Sequence, residues 1–456
     1  MGDAREDHMN FRAQNGPGSS QSTTTKWEAI LARHPEVEFV MLRFLLFEGS
    51  IRIRMIPLAY FSKMIENNQN LSLSSAYIYL LRNDHVAAEA TSTGAMYLAP
   101  DLSTAFVPAH ERSRIHILAN LVEENQVPRP ECLRTKLGDL SEILARLHKF
   151  HILVGYEIEV IFFRGEDQDG RDLMSGHKLC GMTPAIRSLL PMVEAIVRTL
   201  NEEHIVLEQY HSEMTPGQWE FVLQPQCPLK AVDTLMKARE IISTISDGYG
   251  YRATLHPRPF PEHGGSGAHL HLSVNSSTLS NVENTDPFFA GIINHFQSLM
   301  AFCLPLDICY ERVAIGIWSG GEYVSWGWQN KETPLRRIDN NRFELKLHCG
   351  LANPYASLAA ILAAGIDGLN RGLPLTAGDC QSSPANMSEE QRIQLNIRPV
   401  PRSLQQSVEH LIEDKELQRI LGEEYVATYV SVSTEWNQQL NEIDSKSQRR
   451  MLLENY

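Results

Sequence analysis

Apolar and polar residues alternate along some stretches of the chain and recur with helical spacing along others. Two-residue alternation predicts strands over 151–164, 204–223 and 267–274. Apolar stripes at the helical period predict helices over 136–150, 186–203, 229–248, 286–303, 353–372, 403–413 and 415–440. Asn353 is suited to cap its helix, with Pro354 at the first helical position and an Ala-rich body typical of a closely packed, buried helix.

The first part of the chain has its own pattern. Between residues 37 and 59, two short apolar-rich runs flank a Glu48-Gly49 turn, which predicts a hairpin within a small α+β unit. A proline-rich joint at 127–131 then separates this unit from the rest. Residues 1–25 have too few apolar groups to offset the entropy of ordering. We therefore expect a disordered tail at 1–25, an N-terminal domain at 26–125 and a larger α+β domain at 126–456.

Composition narrows the class of protein. The formal net charge of -14 argues against a nucleic-acid backbone or an anionic membrane as the main partner. No apolar run is long enough to cross a bilayer, and the N-terminus lacks the order of a signal peptide. The seven cysteines are scattered without CxxC spacing, which favours reduced thiols over a disulfide framework. We expect a soluble, cytoplasmic protein.

Acidic residues and histidines fall at strand spacing. Glu157 and Glu159 are two residues apart, as are His269 and His271, so each pair can point toward one side of its strand. With Glu213 and Glu220, this gives carboxylates and imidazole suited to Mg²⁺ or Mn²⁺, whereas zinc or iron–sulfur sites would call on thiolates. Taken singly, these acids could instead form a solvated strand face or lie in a surface loop, and the histidines could be ordinary hydrogen-bonded residues.

A set of cations follows downstream: Arg312, Lys331, Arg336, Arg337, Arg342 and Lys346. Alone they could be ordinary solvated charge. Together with the upstream acids they match the division of labour in phosphoryl transfer, in which acids hold metals and cations neutralise the moving phosphoryl group. The chain has no GxxxxGK[ST] motif, and the glycines at 264–267 lack dinucleotide-fingerprint spacing. A bound nucleotide would therefore need another kind of site.

Several motifs in one order resemble the glutamine synthetase family, type I in particular, from about residue 36 onward. They are MYLAPDLST (96–104), GYEIEVIFF, EQYHSEMTPGQWE, YRATLHPRPF (251–260), GSGAHLHLS, RFELKL (342–347) and NPYASLAAILAAGIDG. The resemblance implies an N-terminal β-grasp domain and a large catalytic domain with a curved antiparallel sheet. It also implies a homo-oligomeric ring with active sites between subunits, ATP as co-substrate and two divalent metals, Mg²⁺ or Mn²⁺, in each site.

The resemblance also implies roles for individual residues. One metal would be bound by Glu159, Glu213 and Glu220, and the other by Glu157, His269 and Glu344. Nucleotide contacts would come from Glu208, His271, Ser273 and Arg342, with Arg336 on the phosphates. The acid substrate would be bound by Arg312 and Gly265, with Lys331 as a further catalytic cation and with Lys346 and Trp318 also on the substrate side.

The chain departs from the family at the amine side. The family has an ammonium-binding acid six positions after the substrate arginine, where this chain has Trp318, and the N-terminal loop FEGSIRIRMIP lacks the second such acid. Glu322 is a candidate replacement. Lys331 and Lys346 stand where the family has arginines. A lysine ammonium keeps the positive charge but cannot form the paired hydrogen bonds of a guanidinium. Gly264 replaces an asparagine, and Ile397 replaces the tyrosine of adenylylated bacterial enzymes.

These observations lead to a hypothesis of an ATP-dependent carboxylate–amine ligase. It would form an amide through an acyl phosphate, with a glutamate-like acid and an organic amine rather than ammonia, since a tryptophan favours a partly apolar amine. Two alternatives stay open: an ordinary glutamine synthetase with a rebuilt ammonium site, and a catalytically silent, ring-forming scaffold.

Overall fold

The computed structural model describes residues 22–109, 111–164, 176–260, 262–276, 284–316 and 318–456. Most of the predicted tail lies outside these ranges. Its last residues do not fit the prediction, because a helix begins at Thr23 and is capped by the side chain of Ser22, which accepts a hydrogen bond from the Thr25 amide. A serine N-cap satisfies one of the free amides of the first turn and so favours this start.

The helices of the described residues are α1 (Thr23–Arg33), α2 (Leu58–Glu66), α3 (Leu133–Arg146), α4 (Pro184–Glu202), α5 (Pro228–Gly248), α6 (Asp286–Asn294), α7 (Phe296–Cys303), α8 (Asp307–Tyr310), α9 (Pro354–Arg371), α10 (Glu389–Gln394), α11 (Leu404–Glu413), α12 (Lys415–Leu421), α13 (Glu423–Asn441) and α14 (Ser445–Asn455). The strands are β1 (Phe39–Leu45), β2 (Ile51–Pro57), β3 (Leu71–Ser74), β4 (Ala95–Phe106), β5 (Arg114–Val122), β6 (Phe150–Phe163), β7 (Leu207–Ser212), β8 (Gln218–Leu223), β9 (Arg252–Thr254), β10 (Leu270–Ser276), β11 (Tyr323–Val324), β12 (Trp326–Trp328), β13 (Leu335–Asp339), β14 (Arg342–Leu345) and β15 (Arg398–Pro399).

The predicted helices are present, and two of them are interrupted. The stretch predicted as 286–303 is broken at His295 between α6 and α7. The stretch predicted as 415–440 is broken at Gly422, whose φ of 98° belongs to a conformation that side-chain-bearing residues rarely adopt. Helix α9 agrees with its predicted cap, because the Asn353 side chain accepts hydrogen bonds from the Tyr355 and Ala356 amides. Predicted strand 204–223 is a hairpin of β7 and β8.

The chain divides into two compact units. Among the described residues, one comprises those up to Leu42, Arg54–Asn70 and Pro100–Leu118, and the other comprises Arg43–Ile53, Leu71–Ala99 and Ala119–Tyr456. The predicted hairpin is formed by β1 and β2, which belong to a five-stranded sheet in the order β2-β1-β5-β4-β3. The predicted domain boundary near residue 125 stays a prediction.

The larger unit contains an eight-stranded sheet in the order β12-β13-β14-β10-β6-β8-β7, with β9 paired to β6. Its central pairings are antiparallel, and β12 pairs with β13 in parallel. Mixed helices and antiparallel sheet confirm the predicted α+β class. Strands β14, β10, β6 and β8, which carry most of the predicted acids and histidines, are consecutive in this sheet.

Helix α9 forms the centre of the helical core, as its Ala-rich sequence predicts. Its residues from Pro354 to Gly368 are buried. Close approach to α6 depends on glycine, since a Cβ on Gly291 would fall 2.0 Å from the Ala364 carbonyl oxygen and one on Gly368 would fall 2.0 Å from that of Pro287. Any larger residue at either position would force the two helices apart.

The break at His295 is occupied by a buried charge cluster. The imidazole Nε2 lies 2.9 Å from Asp367 Oδ2, and Nδ1 lies 2.7 Å from Asp414 Oδ2. His295 is only 3% exposed. Burial acts to lower the pKa of His295, but the two carboxylates outweigh it and raise the pKa to about 9. The histidine is therefore charged at neutral pH and links α6 and α7 to α9 and to the start of α12.

This cluster predicts a pH-dependent stability. Because the folded pKa of His295 exceeds its unfolded value, its contribution is fully present below about pH 6.5 and is lost as pH rises through about 9. We expect the unfolding free energy of the wild type to fall between these values by on the order of 3 kcal/mol relative to H295Q. Urea denaturation of both proteins at several pH values checks this, and parallel pH curves would contradict it.

Candidate active site

Four neighbouring strands bring the predicted acids and histidines together. In the sheet register, Glu159 on β6 pairs with Glu220 on β8, and His271 on β10 pairs with Glu344 on β14. Because paired residues point to the same side of a sheet, the antiparallel register itself brings these groups close. Sequence spacing predicts which residues share a strand face, and the register decides which faces meet.

One cluster centres on Glu157. His269 Nδ1 lies 2.8 Å from Glu157 Oε2, and His271 Nε2 lies 2.8 Å from Glu157 Oε1. Ligand atoms of Glu157, His271 and Glu344 all lie within 4.8 Å of one another. His269 Nδ1 is also 3.6 Å from Glu344 Oε1, so the predicted ligand set of Glu157, His269 and Glu344 is assembled here. His271, predicted as a nucleotide contact, is part of the same cluster.

A second cluster contains Glu213, Glu220 and a residue that the sequence reasoning missed, His211. Their ligand atoms lie within 4.8 Å of one another, with His211 Nε2 3.3 Å from Glu220 Oε1. The two-residue spacing that identified the other pairs could have found His211, because His211 and Glu213 are also two residues apart. Glu159 lies between the clusters: its Oε2 accepts hydrogen bonds from the Gln218 side chain and the Gly267 amide, and its Oε1 is 3.5 Å from His269 Nδ1.

The two clusters differ in electrostatics. Burial, together with the neighbouring carboxylates, raises the pKa of Glu213. Burial also raises the pKa of Glu220, with help from Glu157 and Glu159. Burial would raise the pKa of Glu344 as well, but Lys346 and His269 bring it down to about 2. His211 acts to lower the pKa of both glutamates in the second cluster, but burial and carboxylate repulsion outweigh it.

This donor set fits hard divalent cations. The clusters offer carboxylate oxygens together with imidazole nitrogens, which is the chemistry that Mg²⁺ and Mn²⁺ accept, and no cysteine is among their members. A divalent cation bound by Glu213 and Glu220 would also relieve their mutual repulsion. The residues of both clusters therefore fit the predicted pair of metal ions.

The predicted nucleotide residues line one cavity. A space of about 120 Å³ is bordered by Glu208, His271, Ser273 and Arg342, together with Glu157 of the first cluster. Ser273 and Arg342 are paired across β10 and β14. The remaining lining is largely apolar, including Leu153, Val222 and Pro225. The geometry thus gathers all four residues, which are far apart in sequence, beside the acidic cluster.

The glycine loop before His269 lies against Arg312. A Cβ on Gly265 would fall 2.8 Å from the Arg312 Cβ, and a Cβ on Gly267 would fall 2.5 Å from Arg312 Nη2. The buried Arg312 donates from Nη1 to the Lys346 carbonyl oxygen, and its Nε has no hydrogen-bond partner among the described residues. The predicted acid-substrate residues Gly265, Arg312 and Lys346 therefore lie together.

Two cations bind Glu344 of the first cluster. Lys346 Nζ donates to Glu344 Oε1 at 2.9 Å, and Arg336 Nη1 donates to Glu344 Oε2 at 3.0 Å. Arg337, in contrast, lies 3.0 Å from Asp286 and packs over Trp328 and Phe343. Glu344 is therefore held by one cation on each oxygen, and Arg337 serves the packing of the sheet.

Trp318 and Lys331 form a separate pair. The Lys331 ammonium lies 4.8 Å from the centroid of the Trp318 ring, and Trp318 is 53% exposed. Two residues on, a Cβ on Gly320 would lie 3.1 Å from the Lys346 Cβ, so the loop of Trp318 passes beside the acid-substrate residues. Glu322, the candidate replacement for the ammonium-binding acid, instead forms an ion pair with Arg402.

The sequence model of the "Glutamine synthetase, catalytic domain" family matches residues 134–451. The chain belongs to the glutamine synthetase family. Members of this family form carbon–nitrogen bonds, so the predicted acid–amine ligase is confirmed at the level of the family. No helix among the described residues is both long and apolar enough to span a membrane.

Among the relatives of this glutamine synthetase family member, "Protein fluG" of Emericella nidulans is 36% identical over 443 residues, which are 95% of this chain and 50% of that protein. The chain therefore spans about half the length of that relative. "Gamma-glutamylpolyamine synthetase GlnA3" of Streptomyces coelicolor is 24% identical, with 85% of this chain and 86% of that protein covered. The structure titled "GmaS/ADP complex-Conformation 1" has a TM-score of 0.78 at 22% identity, covering 93% of this chain and 99% of that one, and supports the fold.

The second cluster predicts a metal-dependent phenotype. We expect E220Q and H211Q each to weaken Mn²⁺ binding about tenfold or more, because each removes one donor from a small ligand set. Calorimetric titration with Mn²⁺ measures this without any turnover. E416Q is the control, since Glu416 is an exposed acid paired with Arg419 outside both clusters. Equal affinity in E220Q and wild type would contradict the assignment.

Proposed function

We propose that this chain joins a glutamate-like carboxylic acid to an organic amine at the expense of ATP, through an acyl phosphate. The observation that carries the proposal is the pairing of a complete acid-and-histidine centre with a neighbouring loop that has Trp318 where the family has an ammonium-binding acid. The first feature supports activation of a carboxylate, and the second supports an amine other than ammonia.

In the first step, an oxygen of the substrate carboxylate attacks the γ-phosphorus of ATP, and ADP leaves. Glu208, Ser273 and Arg342 would hold the nucleotide, and the cavity that they line beside Glu157 supports this role. Arg336 can neutralise charge on the transferred phosphoryl group, because it reaches Glu344 beside that cavity. When bound, two divalent ions would screen the phosphate charges, with Glu157, His269 and Glu344 holding one and Glu159, Glu213 and Glu220 the other.

The acid substrate would bind at Arg312. Its buried guanidinium has an Nε without a partner among the described residues, and it lies against the glycine loop at Gly265. A substrate carboxylate would supply the missing acceptor. Lys346 adds a second positive charge but is already bonded to Glu344, so it would contribute as a point charge rather than as a fork.

In the second step, the nitrogen of the neutral amine attacks the acyl carbon, the carbon–oxygen bond to phosphate breaks, and the departing phosphate takes up the proton that the nitrogen loses. The Trp318 ring offers apolar area and a π face but no proton acceptor. An amine with a carbon substituent gains from this surface, whereas ammonia has nothing to bury. Similarity to the GlnA3 relative, a γ-glutamylpolyamine synthetase, supports the same kind of amine substrate.

The alternatives are weaker. An ordinary glutamine synthetase needs a replacement ammonium acid, and the candidate Glu322 is bonded to Arg402. A silent scaffold gives no reason for two clusters with a full set of donors.

We further propose that the protein works in the cytoplasm, as its composition predicts, and as a homo-oligomeric ring, as the family resemblance implies. Light scattering after size-exclusion chromatography tests the assembly.

A substrate panel tests the proposed activity. Purified protein with ATP, Mg²⁺ or Mn²⁺ and glutamate should release phosphate faster with alkylamines or polyamines than with ammonia at equal concentration. Mass spectrometry should identify the matching amide, because the ring of Trp318 favours substituted amines. Equal turnover with ammonia would contradict the amine assignment. Absence of phosphate release with every acid and amine would contradict the ligase.

A single substitution should shift amine selectivity. W318E restores an acid at the ammonium position of the family, so we expect the ratio of kcat/KM for ammonia to kcat/KM for an alkylamine to rise about tenfold or more. W318F is the matched control, because it keeps an aromatic face and should leave that ratio near the wild-type value. An unchanged ratio in W318E would place amine recognition elsewhere.

A further inference from the structure

The carboxylate of Glu332 holds the backbone of the loop that carries Trp318. Its Oε2 accepts a hydrogen bond from the Gly316 amide at 3.1 Å, and its Oε1 accepts one from the Trp318 amide at 3.1 Å. Each oxygen of the side chain is therefore bonded to this loop. The Glu332 amide in turn donates to Asn330 Oδ1, which fixes the residue that provides the carboxylate.

The loop needs such support because Trp318 has an unfavourable backbone conformation. Its φ of 58° lies in the left-handed region, which a large aromatic residue adopts only when its surroundings enforce it. The residue before Glu332 acts on the same tryptophan, since the Lys331 ammonium lies over the Trp318 ring. Segment 331–332 thus contacts both the backbone and the side chain of Trp318.

The remainder of the loop is fixed from its other side. Ser319 Oγ accepts from the Ala314 amide and donates to the Ala314 carbonyl oxygen. Gly321 has a φ of 70°, and a Cβ there would fall 2.4 Å from the Glu332 carbonyl oxygen, so the chain passes directly against Glu332. Together these contacts hold Trp318 in one place relative to Gly320 and Lys346.

We propose that Glu332 is a positioning residue that determines amine selectivity by fixing the Trp318 loop. This inference rests on the proposed function, because it assigns the amine side of that site. A carboxylate with both oxygens bonded to backbone amides is suited to holding a loop rather than to taking a proton from substrate. Without it, the indole would lose its fixed position and the amine would lose its binding surface.

Kinetics of variants test the proposal. We expect E332A to raise KM for the amine about tenfold while KM for ATP changes less than about twofold, with E332Q intermediate because its amide oxygen still accepts one bond. If Glu332 acts through Trp318, then W318A and E332A should be non-additive, so the double variant resembles W318A alone. The matched control is D379N, since Asp379 accepts a hydrogen bond from the amide of another tryptophan, Trp328.

Hydrogen exchange provides a readout that needs no turnover. Peptides covering 314–321 should exchange faster in E332A than in wild type, and those of D379N should not. Unchanged exchange, additive effects of W318A and E332A, or equal rises in KM for amine and ATP would overturn the proposal. A collapse of kcat in E332Q with unchanged amine KM would also overturn it, by making Glu332 a proton acceptor. Altered exchange in a protein without amine turnover would refute the proposed function while leaving the positioning role standing.

Discussion

The structure depends on holding several negatively charged carboxylates close together in a largely buried site on the large sheet. Five carboxylates converge at the large sheet: Glu157, Glu159, Glu220 and Glu344 on its strands, and Glu213 in the turn between β7 and β8. Such an arrangement is costly unless each carboxylate has a partner. The imidazoles of His269 and His271 serve Glu157, and Arg336 and Lys346 serve Glu344. Glu213 and Glu220 share His211 as the one cationic side chain that the described residues place in ion-pair range of them, and this imbalance favours a divalent cation.

Rigidity of the sheet explains why this half of the site is retained. Ligands on neighbouring antiparallel strands have their separations set by backbone hydrogen bonds, so they stay in place with little loop movement. Behind the sheet, the glycine-dependent crossing of α6 and α9 and the charged His295 hold the helical core. A site built in this way is well suited to hold phosphates and metals, because their arrangement does not depend on which amine is the second substrate.

The amine side is built differently. Trp318 lies in a loop, and its position depends on a few side-chain contacts from Glu332, Lys331 and Ser319. Loops tolerate exchange of residues because few buried contacts depend on them. On the proposed function, substrate selectivity can therefore change through a small number of positions such as 318 and 332, while the strands proposed to bind ATP keep their residues.

Much of this protein could be predicted from its sequence, because strand and helix periodicities are local. Alternation identified β6 and β10 and placed Glu157 with Glu159, and Asn353-Pro354 marked the start of α9. Motif order gave the family. Interruptions at His295 and Gly422 were missed, since the first depends on carboxylates distant in sequence and the second on one glycine dihedral angle.

The sequence by itself determined which residues could bind metal, nucleotide and acid, because residue chemistry and spacing along a strand are written in the chain. Only the tertiary structure decided which of them meet. The register of β7 on β8 added His211 to one cluster, and that of β10 on β14 added His271 to the other. Chain folding placed Glu332 against the Trp318 backbone and turned Glu322 toward Arg402. The physical reason is that these contacts join strands and loops through non-local hydrogen bonds and ion pairs, which no local pattern encodes.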